Sequence, residues 1–310
     1  MPTSTREVLA ATAVKASLRL LFKLPSRLPL PLTVLRAAME QGALFFRVRP
    51  EVTVEPLLLG GVDAERISVV APARALLHFH GGAFFAGSTN THRALASEFA
   101  VRADAEVFLL NYRLAPEHPY PAALSDGLAA WRALRAQGYA AADIVLGGDS
   151  GGCAHALALA QALSERGEDM PAGIFMISPY LDMSLSNPSV RKQKLRDPMV
   201  TAQALRRGAD GYCGDLDWRD PRVSPMFADL KGLPPVLVQV GSAEILLDDA
   251  RLFAERARAA GVEVDCQIFP GMWHNFQMFN SLLATADEAL DDIALFMQRV
   301  TVASALAAVA

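Results

Sequence analysis

The segment that most constrains this chain is Gly148-Asp149-Ser150-Gly151-Gly152, set between an apolar strand and a helix. Upstream, Ile144-Val145-Leu146 is a short β-branched run that predicts a buried strand. Downstream, Ala154, Leu157, Ala158, Gln161 and Ala162 recur at helical spacing, with no breaker until Gly167. A Gly-x-Ser-x-Gly turn at a strand-to-helix junction is a nucleophile elbow. Its glycines permit a tight, strained turn that holds the hydroxyl out at the end of a sheet. The helix that starts beneath the serine favours negative charge developing there.

The same five letters surround the nucleophile of trypsin-like proteases, and a plain tight turn can carry them too. Those proteases place their histidine and aspartate before the serine, on β-barrels. Here a helix follows the serine, and the best histidine lies far downstream, which favours the elbow.

Leu76-Leu77-His78-Phe79-His80-Gly81-Gly82-Ala83 reads as a strand running into a His-Gly-Gly turn. Small residues there let backbone N–H groups approach a ligand, as an oxyanion hole requires. An alanine at position 83 keeps that chemistry provided its φ is not positive. Near the C-terminus, the strand pattern Val264–Phe269 is followed by Pro270-Gly271-Met272-Trp273-His274. A histidine just past a strand can reach over the sheet edge to take a serine proton, so His274 is the candidate general base. His155, five residues past Ser150, is read as helix packing.

A third strand pattern, Val236–Gly241, precedes three carboxylates, Glu244, Asp248 and Asp249. Glu244 is nearest the strand end and is favoured as the acid that orients His274. Asp248 and Asp249 fall where the first turn of a helix welcomes negative charge, and both stay open as alternatives. The order Ser…Glu…His is the one α/β-hydrolases use.

Taken together, His80-Gly81-Gly82-Ala83-Phe84, Asn111 to Pro119, Gly148 to Gly152 and Gly271-Met272-Trp273-His274 resemble the bacterial hormone-sensitive-lipase-type branch of the α/β-hydrolase superfamily. The resemblance spans about residues 65 to 300. It departs at Ala83, where glycine is usual, and at Glu244, where aspartate is usual. It implies an oxyanion hole of main-chain N–H groups at Gly81, Gly82, Ala83 and Gly151. It also implies that His80 stabilises the turn, that Asp149 fixes the elbow, and that the loop from Tyr112 to Pro119 is support. The implied fold is a mostly parallel eight-stranded sheet covered by helices, with a helical cap. N-terminal cap helices would occupy 1–48 and a cap insertion 183–223, the core being 49–182 and 224–310.

Composition narrows the partners. A chain of 310 residues, 52% hydrophobic, can bury one large α/β core. A net charge of −4 argues against nucleic acid. Three cysteines give no disulfide framework, no Cys/His cluster has metal spacing, and no apolar stretch reaches a membrane span. Lys15, Arg19 and Lys23 interrupt the N-terminal apolar run, whose residues Val8, Leu9, Thr12, Ala13, Ala16 and Leu20 read as one face of an amphipathic helix. The run Arg191 to Arg196 reads as a solvated face.

The expectation is a cytoplasmic serine carboxylesterase for short- to medium-chain acyl esters. It needs no cofactor or metal and takes a small-molecule ester as partner, without nucleic acid or membrane; a homodimer is left open. Phe84, Phe85, Leu181, Met183, Trp218, Leu20, Leu21 and Phe22 are the apolar candidates near the entrance. The alternatives are a non-catalytic receptor on the same fold, or a lactone or amide hydrolase with the same triad.

Overall fold

Gly60 and Gly61, both at positive φ (63° and 85°), close a two-residue hairpin between strands β1 (Thr53–Leu59) and β2 (Val62–Ser68) in the computed structural model, which describes residues 5–28 and 30–309. Leu59 pairs with Val62. Sequence patterning puts the second strand at 66–71. The difference arises because a Gly-Gly pair accepts left-handed φ and forms the shortest hairpin loop, so β2 starts at once.

Six more strands complete the sheet: β3 (Arg74–Phe79), β4 (Ala105–Leu110), β5 (Ile144–Asp149), β6 (Gly173–Ile177), β7 (Val236–Gly241) and β8 (Val264–Phe269). Their order is β1-β2-β4-β3-β5-β6-β7-β8. The first two strands are antiparallel, and β4, β3 and β5 to β8 run parallel. This is the mostly parallel eight-stranded sheet expected from sequence. The central strands β4, β5, β6 and β7 are buried along their whole length, as a sheet covered on both faces must be.

Helices α4 (Ala122–Ala136), α5 (Gly151–Glu165) and α8 (Leu247–Ala259) share one apolar cluster with Leu77, Phe79 and Leu146. On the other face, α3 (Thr89–Ala103) and α9 (Ala284–Val309) enclose Leu76, Val145 and Phe175. The segment 183–223 contains α6 (Ser189–Lys192) and α7 (Ala202–Cys213) and no strand. At the N-terminus, α1 (Thr5–Leu18) passes into a π-helical turn, Arg19–Lys23, ahead of α2 (Leu32–Gly42).

The face of α1 differs from the sequence expectation. Its buried residues are Glu7, Ala11, Val14 and Leu18, the last three packed with Met272, Trp273 and Phe276. Val8, Leu9 and Leu20 are exposed at 51%, 67% and 64%, and Thr12, Ala13 and Ala16 are exposed as well. Apolar residues surround α1 on all sides, so periodicity alone selects no face. No described helix is long and apolar enough to cross a membrane.

Candidate active site

The parallel strands end on one edge of the sheet, and the candidate residues come from loops at that edge. Ser150 follows β5 directly and stands as the N-cap of α5 with φ 53° and ψ −121°. That backbone is far outside the regions a side chain normally tolerates. It is held from both sides: Ser150 N donates to Ile177 O (2.8 Å), while Ser150 O accepts from Cys153 N (3.2 Å) and Tyr180 N (3.1 Å). A Cβ on Gly152 would overlap the carbonyl oxygen of Phe79, so only glycine lets α5 start this close to β3.

Glu244 and His274 meet in the loops after β7 and β8. His274 Nδ1 lies 3.0 Å from Glu244 Oε2, with the histidine 3% exposed and the glutamate fully buried. Nδ1 is thereby taken by the carboxylate, leaving Nε2 for proton exchange. Burial disfavours a charged ring. The hydrogen bond and charge of Glu244, backed by the charges of Asp197 and Asp149, outweigh it and raise the His274 pKa above its ordinary value.

The other two acids do different work. Asp249 accepts from Leu181 N (2.9 Å), Asp182 N (3.0 Å) and Asn187 Nδ2 (2.6 Å), and burial pushes its pKa up to about 7. Asp248 accepts from Ser189 N at 2.7 Å. Both carboxylates therefore tie down the start of the 183–223 segment, and neither bonds His274.

Two residues that sequence reasoning missed join these parts. Ser178 Oγ donates to Glu244 Oε1 and accepts from Asn275 N, both at 3.0 Å. Asn275, in a left-handed conformation (φ 54°), sends Nδ2 to Asp149 Oδ2 at 2.6 Å. Asp149 Oδ1 in turn accepts from Gly81 N at 3.0 Å. One hydrogen-bonded chain thus links acid, histidine loop, elbow and His-Gly-Gly turn. His92 Nε2 adds a contact to Asp149 at 3.3 Å, and the surrounding histidines hold that buried carboxyl well below the usual range despite its burial. No short motif marks Ser178 or Asn275; their positions just after β6 and just after His274 are the only available signal.

The turn itself needs two corrections. Gly81 N–H donates to Asp149, so it points away from the site and does not serve an oxyanion. Ala83 has φ 50°, and Phe84 follows at 68°. The proviso that Ala83 avoid positive φ is not met, and the strained alanine costs roughly 1–2 kcal/mol that a glycine would not. Gly82 (φ 130°) is left with its N–H, as is Ala83, engaged by no acceptor among the described residues. A Cβ on Gly151 would lie 3.4 Å from Phe84 N, and one on Gly81 3.1 Å from Ser150 Cβ. The turn and the elbow therefore lie side by side.

His80 and the loop from Tyr112 support this arrangement. His80 Nδ1 contacts Gly81 O at 2.8 Å, its ring stacks on Tyr112 (4.4 Å), and Tyr112 Oη donates to His80 O at 2.7 Å. Arg36 of α2 donates to Phe85 O (2.7 Å) and Ala115 O (3.1 Å) and pairs with Glu117. His155 is buried against Phe84, Tyr112 and Tyr212, which depresses its pKa to about 3. Of the apolar residues expected near the entrance, Phe84, Leu181 and Met183 are buried in the main core, and Leu20 and Leu21 face outward at 64% and 66%. Among the described residues no group of three His, Cys, Asp or Glu could hold a metal ion.

Known proteins share this organisation. A family model described as the alpha/beta hydrolase fold matches residues 76–278. An esterase of Acinetobacter venetianus is 46% identical over 281 residues, covering 90% of this chain and 93% of its own. An acetyl-hydrolase of Streptomyces hygroscopicus is 39% identical, covering 74% of this chain and 76% of its own. The crystal structure of an esterase from the bacterial hormone-sensitive lipase family superposes with a TM-score of 0.91 at 35% identity, covering 97% of this chain and all of that one.

Proposed function

The chain belongs to the bacterial hormone-sensitive-lipase-type esterases of the alpha/beta hydrolase fold, and from that membership we propose that it hydrolyses carboxylic esters through an acyl-enzyme on Ser150. Ser150 Oγ attacks the ester carbonyl while His274 Nε2 takes its proton. The C–O bond to the leaving alcohol then breaks, and that same proton goes to the departing oxygen. Water, deprotonated by His274, releases the acid and restores the serine. Glu244 keeps the ring in the required tautomer and stabilises its cationic form. The N–H groups of Gly82, Ala83 and Gly151 receive the negative charge that forms on the carbonyl oxygen.

The observation that carries this reading is the conjunction of a strained Ser150 at a helix N-terminus with a buried, carboxylate-bound His274 in the same hydrogen-bonded chain. The N-terminal segment 1–48, of which residues 1–4 and 29 lie outside the described residues, and the insertion 183–223 act as the cap in this reading. The acetyl-hydrolase among the relatives supports short to medium acyl groups, of about two to eight carbons. Replacing Ser150 by alanine is expected to lower turnover of p-nitrophenyl acetate and butyrate by about a millionfold with the fold intact. Turnover retained within tenfold would mean that the chemistry lies elsewhere.

A further inference from the structure

The leucines that α1 and the following turn leave exposed sit among lysines and arginines that form no ion pair among the described residues. Lys15, Arg19, Lys23 and Arg27 recur every four residues, and Glu7 is the only acid in 5–28. Against this segment lies a second basic run, Arg191, Lys192, Lys194 and Arg196, with no acid between them. The two are joined: Lys23 Nζ donates to Lys194 O at 2.8 Å and to Asp197 O, and Ser26 Oγ lies 3.0 Å from Thr201 Oγ1. A cavity of about 400 Å³ opens along this seam, with Lys23, Arg27 and Lys194 in its wall.

Elsewhere the chain pairs its arginines well, with Arg36, Arg49, Arg93, Arg102 and Arg113 all in ion pairs. Among the described residues none of the eight cations of this face has a carboxylate within 4.0 Å. They repel one another: Lys15 is depressed by burial and then by Arg19 and Arg196. A protein of net charge −4 thus concentrates positive charge on one face, where the buried Lys23 is met by the charge of Asp197 and the exposed cations have no ion-pair partner among the described residues. Between the cations stand Leu20 (64%), Leu21 (66%), Leu24 (50%), Leu28 (55%) and Leu195 (78%), all projecting into solvent.

Exposed leucines interleaved with unpaired lysine and arginine fit the boundary of an anionic bilayer, where the apolar side chains enter the headgroup layer and the cations meet lipid phosphates. We propose that this face, built from residues 15–28 and 191–196, docks the protein on an anionic lipid surface. Lying on a membrane is a different physical state from spanning one, so the absence of a spanning helix among the described residues does not oppose it. The occupant is chosen by charge. A second copy of this face would bring two sets of like charges together, whereas a phosphatidylglycerol surface neutralises them. The inference stands apart from the hydrolytic reading because binding is measured without turnover.

The test is flotation of the full chain with vesicles of phosphatidylcholine alone and of phosphatidylcholine mixed with phosphatidylglycerol. Binding is expected to the mixed vesicles only, and to fall at least about tenfold as ionic strength rises and screens the charges. A Lys194→Glu, Arg196→Glu variant is expected to lose the interaction, and Leu20→Ser, Leu21→Ser to weaken it. Both variants should keep the Tm and the circular dichroism spectrum of the wild-type protein, which shows that they fold. Absence of binding to the mixed vesicles at low salt would overturn the proposal, as would equal binding to both compositions or undiminished binding by the charge-reversed variant. Monomerisation of a solution dimer by the leucine substitutions, without loss of vesicle binding, would assign the leucines to self-association and overturn it too.

Discussion

Glu244 holds His274 with one carboxylate oxygen and Ser178 with the other, so its loss removes both the charge and the anchor. Glu244→Gln is expected to lower kcat by about three to four orders of magnitude, as loss of a triad orienter does. Asp248→Asn should change it only severalfold, because that carboxylate meets Ser189 and not the histidine. The pH profile carries a second signature. The base must be neutral to accept a proton, and His274 is raised above its ordinary value, so the acid limb of kcat/KM lies at higher pH than an unperturbed imidazole would give. Removing the Glu244 charge should move that limb to lower pH; a limb that stays put would detach Glu244 from His274. Ala83 offers an independent check. Relief of its left-handed strain, roughly 1–2 kcal/mol, slightly exceeds the chain entropy a glycine adds, about 0.5–1 kcal/mol. Ala83→Gly should therefore keep activity and leave Tm level or higher; a fall in Tm of several degrees would show that the alanine is not strained.

The contact between α7 and the His-Gly-Gly turn depends on one missing side chain. A Cβ on Gly208 would overlap Ala83 O, and Tyr212 one turn later stacks on Phe84 at 4.3 Å. Two effects of Gly208→Ala oppose each other: about 1 kcal/mol gained in helix propensity against about 1–3 kcal/mol lost to overpacking. Overpacking should win, lowering Tm and raising KM as α7 shifts off the turn; a stabilised variant with unchanged KM would show that the contact is loose. What the sequence made legible at this scale follows from where the signals are local. β7 and β8 are found residue for residue because a mostly apolar run in the first and an apolar–polar alternation in the second, each bounded by turn residues, mark a strand locally. Patterning places β2 too late because apolar periodicity does not register that a Gly-Gly pair can close a hairpin, and it turns α1 the wrong way because its partners, Trp273 and Phe276, lie more than 250 positions away. Ser178 and Asn275 were illegible for the same reason. Nothing in their own neighbourhoods says that they will meet between Glu244 and Asp149.

Across the whole molecule, the N-terminal segment is bound to the body at separate points, from the start of α9 to the loops around the site. Glu7 Oε1 accepts from Thr285 N (2.9 Å), Arg36 holds the backbone beyond the His-Gly-Gly turn, and Lys23 bridges to the 194–197 stretch. Asp197, fully buried, accepts from Ile245 N (3.0 Å) beside Glu244, so the same stretch also reaches the acid loop. All of this serves a site built around Ser150, whose nucleophilicity a covalent probe reads. The intact chain is treated with a fluorophosphonate, digested, and the modified peptide identified by mass spectrometry. A single phosphonyl group on Ser150, absent when His274 is replaced by alanine, is the result expected of a serine activated by its histidine. An unmodified Ser150 in an enzyme that still hydrolyses p-nitrophenyl butyrate would contradict it.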